Sequence, residues 1–185
     1  MKVVIFCGGL GTRLREYSDT IPKPLVPIGP RPILWHLMKY YAHFGHTDFI
    51  LCLGYKGEMI RDYFVNYDPN VSRDFKMEGN SRSFSPDWSD IDDWTITFVN
   101  TGLHSNIGER LARVKPYLDG EDVFLANYSD QLSDLPLSQH IERFEATDAV
   151  AGFLAVRPPQ SFHLVDVDES HRVTRIGTAD ESDIW

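Results

Sequence analysis

The sequence predicts an α/β fold built on parallel strands joined by right-handed crossovers. Two observations carry this. Short β-branched apolar runs alternate with amphipathic helical segments through residues 3–67. The chain has 185 residues, 42% of them hydrophobic, which is enough for one substantial core.

Val3–Cys7 is a short apolar run ended by Gly8 and Gly9, the pattern of a buried strand. Pro32 opens a helix whose apolar positions Ile33, Leu34, Leu37, Met38 and Tyr41 keep a helical period, and Gly45 stops it. Asp48–Gly54 reads as a second strand and Lys56–Tyr67 as a second helix. Strand, helix, strand, helix implies parallel pairing. Residues 68–93 are rich in Ser, Asp, Asn, Gly and Pro without a clean period. They read as a long loop insertion or a small excursion from the sheet, and such loops often serve as lids or partner surfaces. Trp94–Asn100 alternates as a strand. The segment from Asn106 to Leu118 is a helix with Leu111, Val114 and Leu118 on one face. Asp122–Asp130 is expected to be another buried strand with a polar tip. A helix over Leu135–Thr147, a strand over Asp148–Val156 and a hairpin turning at Glu169 and Ser170 complete the order.

Composition excludes several classes. The formal net charge of -9 argues against duplex nucleic acid, whose binders carry basic stripes. No apolar run reaches membrane-spanning length. The first residues enter an apolar strand directly, so no signal peptide is expected. Cys7 and Cys52 lie in apolar runs, as buried thiols of a cytoplasmic protein would. His43 and His46 have no Cys, Asp or Glu completing a metal set. Asp90, Asp92 and Asp93 read as a solvated loop, and Trp35, Tyr40, Tyr41 and Phe44 as helix packing.

The chemistry concentrates in Phe6–Gly29, "FCGGLGTRLREYSDTIPKPLVPIG". Glycines after a strand let backbone N–H groups approach an anion. A tight turn alone would need the same glycines. No P-loop string is present, and Gly9-Leu10-Gly11 runs on to Leu14 rather than to the third glycine of a dinucleotide fingerprint. The two cations beyond the turn are a more specific signal. Arg13 offers a planar fork of donors suited to phosphate. Lys23 sits between Pro22 and Pro24, which brace it on a stiff, extended backbone. Gly8, Gly9, Gly11, Arg13 and Lys23 together describe a cradle and two cations for a polyphosphate.

The string "GGLGTRL…PKPLVPIGPRPILWHLM" resembles the N-terminal signature of the sugar-1-phosphate nucleotidyltransferases, with both halves at that family's spacing. Within it, Pro-Lys-Pro and "PILWH" look most like the glucose-1-phosphate cytidylyltransferases. The likeness continues through "TGLHSNIGERLARVKPYL" and "FLANYSDQLSDLPL" and thins beyond residue 157. It implies a Rossmann-like, three-layer, mostly parallel sheet of the nucleotide-diphospho-sugar transferase type. It implies an NTP, CTP by the closer likeness, and a sugar 1-phosphate, glucose 1-phosphate by the same likeness, as partners. By resemblance, the Leu10–Thr12 backbone, with Gly11 between, holds nucleotide phosphates, Arg13 grips the leaving pyrophosphate, and Lys23 contacts the α-phosphate and the attacking sugar phosphate. Asp130 would ligate Mg²⁺; by itself it could equally be a loop-capping carboxylate. Ser129 stands where the cytidylyltransferases usually have glycine, close to the ribose. Gly102, Ser105, Gly108 and Arg110 match a segment lying against base and phosphates, although Arg110 could instead be a solvated first-turn residue. The resemblance also implies a longer chain with a second metal carboxylate, and a lysine after the hairpin where Ile176-Gly177-Thr178-Ala179 stands here. On that ground the sequence is expected to lack the family's C-terminal part and to turn over poorly by itself, or to be an inactive nucleotide-binding relative with a regulatory or scaffolding role; a transferase of the same family using another NTP or acceptor phosphate is the further alternative. Family members commonly form oligomers, with residues 68–93 as a candidate contact.

Overall fold

The computed structural model describes residues 1–9, 20–72, 74–84, 89–155, 163–170 and 172–178. They fall into two units, Met1–Leu135 and Pro136–Trp185.

In the first unit β1 (Val3–Phe6) leads toward the glycines. A short antiparallel pair comes next, β2 (Pro27–Ile28) and β3 (Arg31–Pro32), turning at Gly29 with φ +63°. Then come α1 (Ile33–His43), β4 (Asp48–Leu53) and α2 (Gly57–Val65). A hairpin of β5 (Phe75–Glu78) and β6 (Ser81–Phe84) interrupts the alternation. It resumes with β7 (Thr95–Asn100), α3 (Ile107–Val114) and β8 (Leu125–Tyr128).

The four long-range strands form one parallel sheet in the order β7-β4-β1-β8. Val3 lies opposite Phe49 on one side and Leu125 on the other, and Asp48 lies opposite Thr95. The chain therefore builds outward from β1 through β4 to β7, then returns to lay β8 on the far side of β1. That reversal makes the carboxyl ends of β1 and β8 a topological switch point, where open α/β sheets leave a crevice.

The strand pleat divides the core between two faces. Val4, Ile50, Cys52 and Val99 pack with Val114 of α3, and Phe6, Leu111 and Leu118 lean on the same cluster. Val3, Ile5, Phe49 and Leu51 alternate with these and are fully buried on the other face. Successive crossovers in one direction put α1 and α2 there, and Phe64 of α2 meets Phe98 of β7 with ring centroids 6.1 Å apart. The central strands β1 and β4 are covered on both sides, which is why they read as unbroken apolar runs.

Residues 68–93 hold a 3₁₀ turn, Pro69–Ser72, and the β5–β6 hairpin, so they are an excursion rather than a bare loop. Both ends are anchored to α1 and its approach. Arg31, 2% exposed, donates to Ser72 Oγ at 3.0 Å and to the Asp68 carbonyl at 2.8 Å, and its guanidinium lies 4.4 Å from the Tyr67 ring centroid. Tyr67 donates its hydroxyl to Asp90 Oδ1 at 2.6 Å and accepts from Trp35 Nε1 at 2.9 Å. Lys39 Nζ donates to the Asp90 carbonyl at 3.1 Å. Asp90 is thus not a solvated loop residue, and the Asp92 carboxylate accepts from the Ser89 backbone N–H. Burial, with the Asp90 carboxylate beside it, pushes the Tyr67 hydroxyl pKa well above its ordinary value.

Two expectations need correction. Asp122–Asp130 is not a buried strand. Its regular part, β8, is the last strand of the four, and Phe124 and Tyr128 stay 37% and 50% exposed. Asp148–Val156 forms no strand over its described part, and Val150 and Phe153 are exposed. An apolar run becomes a strand only with an edge to pair with, and no described strand pairs with this one.

The second unit contains α4 (Leu137–Glu145) and an antiparallel hairpin of β9 (His163–Val167) and β10 (Val173–Thr178). The hairpin turns at the expected position. Asp168 Oδ1 accepts from the backbone N–H groups of Ser170 and Arg172 at 2.9 and 3.0 Å, and these bonds with the Ser170 hydroxyl hold its carboxyl below the ordinary range.

Leu51→Ala, at the fully buried centre of the sheet, should lower stability by about 2–5 kcal/mol in urea unfolding followed by tryptophan fluorescence. Val150→Ser should change it by less than about 0.5 kcal/mol, because that side chain is already in water. A large loss at Val150 would show that the segment is packed as a strand.

Candidate functional site

A cleft of about 680 Å³ opens at the switch point. Its lining comes from four places in the chain: Phe6–Gly9 after β1, Lys23 and Pro24, Ser105–Ile107 with Arg110 at the start of α3, and Tyr128–Gln131 after β8.

Lys23 begins a 3₁₀ turn over Lys23–Leu25, with Pro22 extended before it. The backbone is therefore more tightly turned than the flanking prolines suggested. Pro24 costs nothing there, because the N–H it lacks would be an unpaired donor in a first turn. Bonds from Leu25 N–H to the Pro22 carbonyl at 2.8 Å and from Val26 N–H to the Lys23 carbonyl at 3.0 Å close the turn. Pro24 is buried, so the lysine stem leaves a fixed platform. The ammonium reaches Asp130 Oδ2 at 2.8 Å, across 107 positions of sequence. Both side chains remain about a third exposed, at 28% and 32%. Two residues whose sequence settings suggest separate roles, one on a 3₁₀ turn and one in the turn after β8, are thus one pair at the cleft.

Under the cleft lies Arg110, 4% exposed, so it is not a solvated first-turn residue. It reaches this depth because α3 is anchored by a capping box. Asn106 Oδ1 accepts from Glu109 N–H at 2.9 Å, and Glu109 Oε2 accepts from Asn106 N–H at 2.7 Å. The Arg110 guanidinium donates to the Gly8 carbonyl at 3.0 Å, the Leu53 carbonyl at 3.4 Å and Thr101 Oγ1 at 2.5 Å. Those groups end β1, β4 and β7. All its described partners are neutral oxygens, so the charge is hydrogen-bonded without a described anion directly paired to it.

This clamp explains the glycines. A Cβ on Gly8 would stand 2.1 Å from an Arg110 nitrogen. A Cβ on Gly54 would meet the Gly8 backbone at 2.7 Å. Gly54 belongs to this assembly although no sequence motif marks it; the only signal is a glycine closing the β4 run. Thr101 opens the TGLHSNIGERL string, which gave it no role of its own. Gly9 lines the cleft, and among the described residues nothing stands within 4 Å of where its Cβ would be. Gly102 needs its φ of +90° and backs onto Ser105 Oγ and Arg113. Ser105 lines the cleft and donates its hydroxyl to the Thr101 carbonyl. Gly102 and Gly108 are not among the described lining residues. Leu10, Gly11, Thr12 and Arg13 lie outside the described residues.

Ser129 is 5% exposed and lines the cleft together with Cys7, so it lies in the cleft floor. Cys7 and Cys52 are free and buried. Burial pushes both thiols up, Cys52 to about 12, with Cys7 raised further. They are not nucleophiles at neutral pH.

The described residues contain no group of three or more His, Cys, Asp or Glu able to hold a metal. Asp130 is a single carboxylate on an open cleft. One or two carboxylates with phosphate and water oxygens is the usual protein share of a Mg²⁺ site, so this donor fits that ion when phosphate accompanies it.

A parallel sheet with a cleft at its switch point, lined by glycines and by a paired lysine and aspartate, places the chain among the open α/β folds that keep a ligand crevice there. The chain belongs to the nucleotidyl transferase family, whose pattern matches residues 2–177. A glucose-1-phosphate cytidylyltransferase of Salmonella typhimurium is 41% identical over 167 residues, covering 90% of this chain and 65% of that protein. A probable glucose-1-phosphate cytidylyltransferase of Bacillus subtilis is 36% identical over 175 residues, covering 91% of this chain and 65% of its own length. The chain thus spans about two thirds of these relatives. Among solved structures, HddC from Yersinia pseudotuberculosis, complexed with GMP-PN, aligns at 25% identity and a TM-score of 0.60, covering 96% of this chain and 68% of that one. The Rossmann-like fold expected from the sequence is the fold observed.

Arg110→Met should destabilise the chain by several kcal/mol in urea unfolding, because three buried oxygens lose their donor at about 1–3 kcal/mol each. Little change would show that the clamp is dispensable. The thiols give a pH signature. Their folded pKa values are raised, so the unfolded chain releases these protons first. The stability they contribute is fully present below the ordinary value of 9.0 and is lost as pH rises from there toward 12. Cys7→Ser/Cys52→Ala should flatten the alkaline decline in melting temperature; an unchanged decline would assign it to other groups.

Proposed function

We propose that the protein transfers a nucleotidyl group, condensing CTP with glucose 1-phosphate to give a nucleotide sugar and pyrophosphate. The observation that carries this is the Lys23–Asp130 pair at the switch point, beside the Gly8-Gly9 turn and above the buried charge of Arg110. The names of the similar relatives support the choice of CTP and glucose 1-phosphate.

The chemistry needs little covalent help from the protein. A phosphate oxygen of the sugar phosphate bonds to the α-phosphorus of the nucleotide, the bond to the β-phosphate oxygen breaks, and pyrophosphate leaves with that electron pair. Two anions must first be held together in line, which is a problem of charge and position. Lys23, on its proline-braced turn, neutralises the α-phosphate and the incoming phosphate. Arg110 fixes the carbonyl of Gly8 where the chain leaves β1. Ser129 and Ser105 shape the floor and the side nearest the ribose, while Gly102 and Gly108 serve the turn and helix start that face the base. Leu10–Thr12 with Gly11 would hold the nucleotide phosphates through backbone N–H groups, and Arg13 would grip the leaving pyrophosphate, on the strength of the sequence resemblance. Asp130 would hold Mg²⁺, which when bound supplies charge neutralisation at the phosphate oxygens. The same reading puts the protein in the cytoplasm and leaves the β5–β6 excursion as a candidate contact between subunits.

Pyrophosphate release is to be measured with the protein at its full natural length, across four NTPs and several sugar phosphates. CTP with glucose 1-phosphate should be preferred, and Lys23→Ala should lower kcat/KM about 10²–10³-fold, the loss typical of one oriented charge donor. No release with any pair would sink the proposal.

A further inference from the structure

Lys23 and Asp130 meet directly at the open cleft. In the proposed reaction each has another partner, phosphate for the ammonium and a divalent cation for the carboxylate. Without ligand, each occupies the place of the other's ligand. The carboxylate stands where a phosphate oxygen belongs, and the ammonium stands where a cation belongs. We propose that this pair is a charge latch: it resists a free polyphosphate and a free divalent cation, and it yields to the two arriving together. This rests on the proposed function and adds a binding rule to it.

Three features support the latch. The 2.8 Å separation is that of a charge-assisted hydrogen bond, so neither group is idle. The two side chains are each about a third exposed, so ligand can exchange with the pair without opening the core. Their backbones come from a closed 3₁₀ turn and a strand end, so the pair re-forms in one geometry. An anion alone would free Lys23 but leave Asp130 beside a new negative charge. A cation alone would free Asp130 but press against the ammonium. A cation and polyphosphate together satisfy both groups, so their binding is positively coupled through this pair.

The test uses equilibrium binding rather than turnover, on the full-length protein. CTP is titrated in EDTA against the wild type, Asp130→Asn, Lys23→Met and the double variant. Mn²⁺ is titrated alone against the wild type and Lys23→Met. Releasing a partly exposed pair is worth about a threefold to fivefold change. Asp130→Asn should therefore tighten metal-free CTP by that factor, and the gain should vanish when Lys23 is already Met. Lys23→Met should tighten Mn²⁺ by a similar factor. If Asp130→Asn gives the same gain with and without Lys23, simple repulsion explains it and the latch is overturned. An unchanged Mn²⁺ affinity in Lys23→Met overturns it too. Failure of the wild type to bind CTP even with Mg²⁺ would instead overturn the proposed function.

Discussion

The guanidinium of Arg110 is sealed under the glycine turn, and the geometry of the site depends on it. Burying a charge costs several kcal/mol unless it is well hydrogen-bonded. Here the donors go to the carboxyl ends of three strands, at Gly8, Leu53 and Thr101. The strands must end level with one another for one side chain to reach all three. The parallel register supplies that, since Phe6 lies beside Cys52 and Leu53 beside Asn100. Space for the guanidinium exists because Gly8 lacks a side chain, and Gly54 lets the Gly8 backbone come close to the end of β4. One buried cation thus ties together sheet register, glycine placement and the floor of the cleft.

The upper side of the cleft is set by topology. β8 returns to the far side of β1, so Asp130 emerges next to the chain that leaves β1. The proline-braced turn then needs only to bring one lysine to the same opening. Separations of about a hundred residues collapse to one ion pair because a parallel sheet gathers its strand ends at one edge.

Much of this is legible in the sequence, for identifiable reasons. The apolar runs of β1 and β4 reveal themselves because both faces of those strands are covered. Pro32 and the stop at Gly45 mark the first helix through local chemistry. Lys23 and Asp130 stand out as residue types in unusual settings. The failures are equally physical. Periodicity says that a segment suits a strand but not whether an edge awaits it. For that reason Asp148–Val156 has a strand's pattern without a strand's pairing, and the pattern of β8 suggests more cover than the strand has. The burial of Arg110 and the need for Gly54 depend on contacts between strands far apart in sequence, which no local pattern records. The anchoring of Asp90 by Tyr67 and Lys39 is hidden for the same reason.

If the switch-point cleft takes the nucleotide phosphates, Lys23 must turn from Asp130 to meet them. The most direct measurement is a crystal structure of the protein with CTP and Mg²⁺. The expected result is the triphosphate between the Gly8-Gly9 turn and Lys23, with the ammonium moved from Asp130 onto a phosphate oxygen. A nucleotide bound elsewhere, or bound there with the Lys23–Asp130 contact intact, would contradict it.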